Sequence, residues 1–103
     1  MDNDKRNKLN KLTCLRLLRK LQKAGWIAFQ ADYESLNELT IAEKQDLIFQ
    51  LDGADILCRK DKIVHYVTFN PYNVGIECIA NWSFTKNDAD GFCKLLDDFT
   101  YQL

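Results

Sequence analysis

The sequence lacks the patterns on which most small metal, nucleotide and catalytic sites depend. Its 103 residues include one histidine and four glycines, so neither a histidine-based metal site nor a glycine-rich phosphate loop is available. No serine lies in a GxSxG pattern, and no two cysteines form a CxxC pair. We therefore expect no catalytic residue, no metal and no cofactor, and we expect that the protein is not an enzyme.

Long hydrophobic runs are also missing. No apolar segment approaches the ~20 residues of a membrane span, and the opening stretch MDNDKRNKLNKL has no apolar core of the kind that a secretory signal requires. With 47% hydrophobic residues, the chain can bury a modest core in one domain, residues 1–103, but not in two. These features predict a single cytoplasmic domain with no membrane contact.

The four cysteines, Cys14, Cys58, Cys78 and Cys93, are 44, 20 and 15 residues apart. Each lies beside or among apolar residues of a predicted helix or strand, where free cysteine behaves as a small hydrophobic residue. We expect four reduced thiols. A disulfide between Cys58 and Cys78 on neighbouring strands is the alternative.

Residues 54–84 are rich in β-branched and aromatic side chains and should form the sheet. Three runs, Asp55–Arg59, Lys62–Asn70 and Gly75–Phe84, are separated by short turn-like segments, which can join only antiparallel neighbours. In the third run, alternation places one set of side chains on the inner face: Ile76, Cys78, Ala80, Trp82 and Phe84. The segment Trp26–Tyr33 is either a fourth strand or a helical turn.

Helical periodicity flanks these strands. The spacing of Cys14, Leu17, Leu18 and Leu21 predicts an amphipathic helix over Asp4–Ala24 that ends at Gly25. Capping patterns then predict a helical turn over Glu34–Leu39 and a short helix over Ile41–Leu51.

A last helix is predicted near the end of the chain. Asn87 and Asp90 match an N-terminal cap, and an apolar stripe follows at Phe92, Leu95, Leu96 and Phe99. Asp97 and Asp98 lie late in this helix and could neutralise cations of the first one. The predicted fold is therefore α+β: a three- to four-stranded antiparallel meander covered by a basic N-terminal helix, a short middle helix and a C-terminal helix.

Charge is distributed unevenly along the chain. Residues 1–23 hold eight Lys/Arg and two acids, a net charge of +6, whereas residues 24–103 have a net charge of −7. Leu9 and Leu12 fall among the cations rather than on the apolar stripe. The candidate partner-binding residues are Lys8, Leu9, Leu12, Arg16, Arg19 and Lys23 of this helix, together with Tyr72 at the tip of the NPYNVG loop.

Three functions are compatible with these features. The first is a small non-enzymatic protein-interaction module, such as an inhibitor, an immunity protein or a mobile-element accessory protein, that binds a protein partner and forms a homodimer. The second is a nucleic-acid binder that uses the basic helix face. The third is an enzyme or small-ligand binder around His65, Tyr66, Glu77 and Trp82, in which Glu77 is the one candidate partner for His65.

Overall fold

The computed structural model describes residues 3–31, 36–38, 55–84 and 87–101. The elements are, in order, helix α1 (Asn3–Lys23), strands β1 (Ile27–Ala31), β2 (Leu36–Glu38), β3 (Asp55–Lys60) and β4 (Ile63–Phe69), a 3₁₀ turn (Gly75–Cys78), strand β5 (Ile79–Trp82) and helix α2 (Phe92–Thr100). The predicted α+β class is confirmed. No helix in these ranges is long and apolar enough to cross a membrane.

Helix α1 forms where the periodicity predicts it. Its apolar stripe is buried, and the helix ends at Lys23. The turn that follows contains Gly25, whose φ of 92° favours a residue without a Cβ. The Trp26 N–H then donates to the carbonyl of Leu21 at 3.0 Å, which turns the chain directly into β1. The segment that begins at Trp26 is therefore a strand and not a helical turn.

The sheet is antiparallel throughout, in the order β2-β1-β3-β4-β5. It contains one strand more than the predicted meander because β2 forms a hairpin with β1. The predicted helical turn over Glu34–Leu39 is wrong at residues 36–38, where backbone pairing with β1 outweighs the local capping signal. The predicted helix over Ile41–Leu51 lies outside the described residues.

The third predicted run, Gly75–Phe84, is only partly a strand. Its first four residues form the 3₁₀ turn, which begins at Gly75 with a positive φ of 63°, and the strand that pairs with β4 is limited to residues 79–82. The predicted alternation fails because the turn shifts the register: Cys78 and Ile79 are both buried, whereas Ile76, Ala80 and Phe84 are exposed.

Both helices pack on one face of the sheet. In the rows of the register, Ala28, Cys58 and His65 lie side by side, as do Ile56 and Val67, and these side chains are buried against the helices. The opposite face, which we call the outer sheet face, is apolar but not fully covered. Its described side chains are Ile27, Leu57, Arg59, Val64, Tyr66, Thr68 and Asn81.

The N-terminus of α2 is capped differently from the prediction. Asp88 accepts the N–H groups of Cys93 and Lys94 at 2.9 and 2.8 Å, and Asp90 accepts the N–H of Phe92 at 2.9 Å. The residue at the N-cap position is Gly91, not Asn87. Two carboxylates thus satisfy three free N–H groups and lie at the positive end of the helix dipole.

Candidate interaction surface

Six of the seven predicted partner-binding residues lie on one side of α1, opposite its buried stripe. This side, the α1 exposed face, consists of Lys5, Lys8, Leu9, Leu12, Arg16, Arg19, Lys20 and Lys23. Leu9 is 42% exposed and Leu12 is 52% exposed. As expected from the helical geometry, the core does not cover either leucine.

The C-terminal half of the α1 exposed face borders a cleft of about 390 Å³. We call it the cationic cleft, and its lining residues are Arg16, Arg19, Lys20, Lys23 and Phe99. The Lys20 ammonium lies 6.0 Å from the centroid of the Phe99 ring, within reach of a cation–π interaction. Helix α2 thus supplies an apolar wall, and α1 supplies four positive charges along two turns.

The cations of this cleft have no acidic partner among the described residues. Asp97 and Asp98 do not neutralise them. The Asp98 carboxylate instead lies 3.9 Å from Lys94 within α2, and Asp97 accepts a hydrogen bond from the Cys93 thiol at 3.5 Å. Four like charges side by side repel one another, so an anionic ligand at the cleft would relieve an unfavourable interaction.

Tyr72, the seventh predicted residue, lies apart from the α1 exposed face. It contacts the helix at Arg6, whose guanidinium carbon lies 5.7 Å from the centroid of the Tyr72 ring. The loop that carries Tyr72 is held by Asn10, a buried residue of α1. The Asn10 amide donates to the carbonyls of Pro71 and Asn73 at 3.1 and 2.7 Å and accepts the Gly75 N–H at 2.6 Å. Tyr72, 63% exposed, is therefore presented from a fixed loop.

His65 is 6% exposed and hydrogen-bonded at both ring nitrogens. Its Nε2 lies 2.7 Å from Asp90 Oδ2, and its Nδ1 lies 2.8 Å from Ser83 Oγ. An ionised carboxylate can only accept hydrogen bonds, so the Nε2–H of His65 donates to Asp90. Ser83 Oγ also accepts the Tyr66 N–H at 3.0 Å. Glu77 is not the partner of His65, and that prediction is wrong.

Aromatic rings and burial complete the surroundings of this hydrogen-bond chain. The His65 ring stacks on Phe92 with centroids 4.5 Å apart, and Trp26 lies 5.5 Å away on a tilted plane. Burial acts to raise the pKa of Asp90, but the hydrogen bonds from His65 and from the Phe92 N–H hold it below its ordinary value. The arrangement ties the N-terminus of α2 to β4 and β5.

The four residues of the predicted pocket are not brought together. His65 faces the helices, whereas Tyr66, next to it on β4, belongs to the outer sheet face. Glu77 is exposed in the 3₁₀ turn, and Trp82 packs partly against the core. No concave site formed by all four is found in the described part of the chain.

The cysteines are free thiols. Burial raises the pKa of Cys78 to about 11 and that of Cys14 further still, so neither thiol ionises readily at neutral pH. Cys58 is buried as well, and Cys93 is half-buried. No group of His, Cys, Asp and Glu side chains within residues 3–31, 36–38, 55–84 and 87–101 could hold a metal ion.

The sequence reasoning missed five residues that shape these sites. Lys20 could have been found from its helical position beside Arg16. Phe99 was assigned to the core stripe, and nothing local indicates that it also walls a cleft. Asn10, Ser83 and Asp90 act through partners that are 18 to 65 residues away in the chain, so no spacing pattern identifies them.

No protein-family model matches the chain, and searches of curated proteins and of solved structures also find no match. The class of protein that the fold defines is a small α+β domain with a cationic helix face.

Proposed function

We propose that this chain is a non-enzymatic interaction module that binds an acidic protein surface through the α1 exposed face. The observation that carries the proposal is the cationic cleft, whose four positive charges have no acidic partner among the described residues. Unpaired charges at a cleft raise the local concentration of an oppositely charged partner and speed its association. The paired and buried state of His65 supports a structural role for that residue.

Two exposed leucines favour a protein over a nucleic acid as the partner. Leu9 and Leu12 lie on the same face as the cations, and a protein interface combines apolar contacts with a charged rim. The sugar-phosphate backbone of a nucleic acid would leave both leucines in water. Nucleic-acid binding is the second candidate, since the cationic cleft could also bind phosphates.

The experiment starts by identifying a partner and then rebuilds the complex from purified components. The wild-type protein is cross-linked in nuclease-treated lysate, the captured protein is identified by mass spectrometry, and its affinity is measured at low and high salt. Arg16→Glu should weaken binding at least about tenfold, because it places a negative charge in the cleft. Lys62→Glu, the same charge change in the β3–β4 turn, should leave the affinity within about twofold.

Binding that is equally sensitive to both substitutions would contradict the proposal, because it would reflect the net charge and not the α1 exposed face. Retention of purified DNA or RNA that is lost in Arg16→Glu, with no protein captured, would establish the second candidate instead.

We also propose that the chain self-associates by packing the outer sheet face against that of a second copy. Ile27, Arg59 and Val64 form one row of this face, and Leu57 and Tyr66 belong to the next. At about 3.3 Å per residue and about 4.8 Å between strands, two such faces would bury on the order of 1,000 Å², the low end for specific complexes. A weak homodimer is expected.

Analytical ultracentrifugation over a range of concentrations tests this dimer. Val64→Lys should abolish it, because the substitution replaces an apolar contact with a second charge beside Arg59 on the outer sheet face. Leu12→Lys, on the α1 exposed face, is the matched control and should leave it intact. A wild-type protein that stays monomeric at all concentrations would contradict the dimer.

The proposed compartment is the cytoplasm, where reducing conditions would preserve the four free thiols. Microscopy of a fluorescent fusion in the source cells would test it.

A further inference from the structure

The α1 exposed face contains a row of side chains with the spacing of a coiled-coil seam. The row is Lys5, Leu9, Leu12, Arg16, Arg19 and Lys23, whose members are alternately four and three residues apart. The buried residues Asn10, Cys14, Leu17 and Leu21 form a second row of the same spacing on the opposite side of α1. The buried row already packs on the sheet, whereas the side chains of the exposed row are accessible to solvent.

A repeat of 3.5 residues favours a helix over an extended segment as the occupant of this row. Successive seam positions on α1 are about 5 Å apart along the axis, and the side chains of a second helix recur at the same interval. Side chains on one face of an extended strand recur about every 6.6 Å. The row has five intervals from Lys5 to Lys23. Over that length the mismatch between the two spacings adds up to more than one seam interval, so the side chains of a strand could not stay opposite those of the row.

The order of residues along the row indicates the composition of the partner. Leu9 and Leu12 provide two consecutive apolar positions, and Arg16, Arg19 and Lys23 provide three cationic ones, with Lys20 beside them in the cationic cleft. A partner with an apolar residue opposite each leucine and a carboxylate opposite each cation would make a favourable contact with each of these side chains. In coiled coils, charge pairs between facing helices set the choice of partner from positions beside the apolar seam, and a polar residue within the seam fixes the register at a cost in stability.

We propose that the partner segment is an acidic helix with apolar residues at one end, which packs along this row of α1 as the second strand of a short two-helix coiled coil. The proposal rests on the proposed function and adds the chemistry and shape of the partner. From Lys5 to Lys23 the row spans about 27 Å, at about 1.5 Å per residue, so a partner segment of roughly five helical turns covers it.

The test uses the full-length protein and synthetic peptides of three heptads. The first peptide has leucine at the seam positions of one end and glutamate at the remaining seam positions. The second has the same composition in scrambled order, so that charge is kept and the seam is lost. Binding is measured by fluorescence anisotropy, and circular dichroism of the complex reports helix formation in the peptide.

The seam peptide should bind at least about tenfold more tightly than the scrambled peptide and should gain helicity when bound. Arg16→Glu should weaken its binding at least about tenfold. Leu12→Ser should weaken it several-fold through lost apolar contact. Lys62→Glu should change it less than about twofold.

The outcomes separate this inference from the proposed function. If both peptides bind equally well and Arg16→Glu weakens both, the helical partner is wrong, but an acidic protein partner still stands. If neither peptide binds, while the identified partner binds the wild type and not Arg16→Glu, the coiled coil is again overturned alone. If Arg16→Glu and Lys62→Glu have equal effects on the seam peptide and on the identified partner, both proposals fail.

Discussion

The two sides of α1 have similar spacing but opposite environments. On one side, Leu17 and Leu21 are buried against the sheet, and the polar Asn10 makes three hydrogen bonds to the loop of Tyr72. On the other side, Leu9 and Leu12 are exposed, and the four cations of the cationic cleft have no acidic partner among the described residues.

This difference separates what stabilises the fold from what is available for binding. In the interior, His65 and Asn10 have their polar atoms paired within the chain, because an unpaired buried polar group is unfavourable. At the surface, water satisfies the cations, and they need no internal partner. Substitutions on the buried side should therefore change stability, and those on the exposed side should change binding.

The largest effect is expected for Leu17→Ala. Leu17 is fully buried, so the substitution should lower the free energy of unfolding by about 2–5 kcal/mol through lost apolar burial and a cavity. Urea denaturation measures it, with Leu12→Ala as the same change on the exposed side. Equal losses for the two variants would show that the two sides of α1 do not differ as the structure indicates.

Asn10→Ala should have the next largest effect and lower the free energy of unfolding by about 1–3 kcal/mol, because it removes three hydrogen bonds to a partly buried loop. Amide exchange should speed up at Gly75, whose N–H loses its acceptor. Asn7→Ala, one turn earlier on α1, is the control. A Gly75 amide that stays protected in Asn10→Ala would contradict the role of Asn10.

Asp90→Asn tests whether the hydrogen bond to His65 holds α2 in place. The folded-state pKa of Asp90 is lowered, so its ionised carboxylate stabilises the protein above the unfolded-state pKa, and this contribution is lost as pH falls through the folded-state value. The substitution should lower the free energy of unfolding by roughly 1–2 kcal/mol at neutral pH.

Urea denaturation from pH 7 down to pH 3 measures this dependence. The difference in free energy of unfolding between wild type and Asp90→Asn should become smaller as the pH falls. Asp61→Asn in the exposed β3–β4 turn is the control and should differ little from wild type. A gap for Asp90→Asn that stays constant across the range would count against the ionised carboxylate.

The smallest change in stability is expected for Leu12→Ser. The free energy of unfolding should change by no more than about 0.5 kcal/mol, because about half of the Leu12 side chain is already exposed to solvent. Its effect should be seen in binding to the seam peptide. If thermal unfolding shows a loss of 2 kcal/mol or more, Leu12 is packed within the fold, and the α1 exposed face is not free for a partner.

Periodicity was sufficient to predict α1 and α2, because each carries an apolar repeat of helical period. The β-branched and aromatic composition was sufficient to predict β3 and β4. The cations of the α1 exposed face were predicted from the uneven charge along the chain. The sequence could not predict β2, whose three residues form a strand because they pair with the backbone of β1. The 3₁₀ turn was missed as well, since Gly75 is held there by Asn10 from the other end of the chain.

By itself, the sequence determined the class of fold, the net charge of α1 and the absence of local metal, nucleotide and catalytic motifs. These properties depend on residue types and on spacings within one element. The tertiary structure alone decided that Phe99 would wall the cationic cleft and that His65 would pair with Asp90 and Ser83. Such contacts join distant segments, and their geometry exists only after both helices have packed on the sheet.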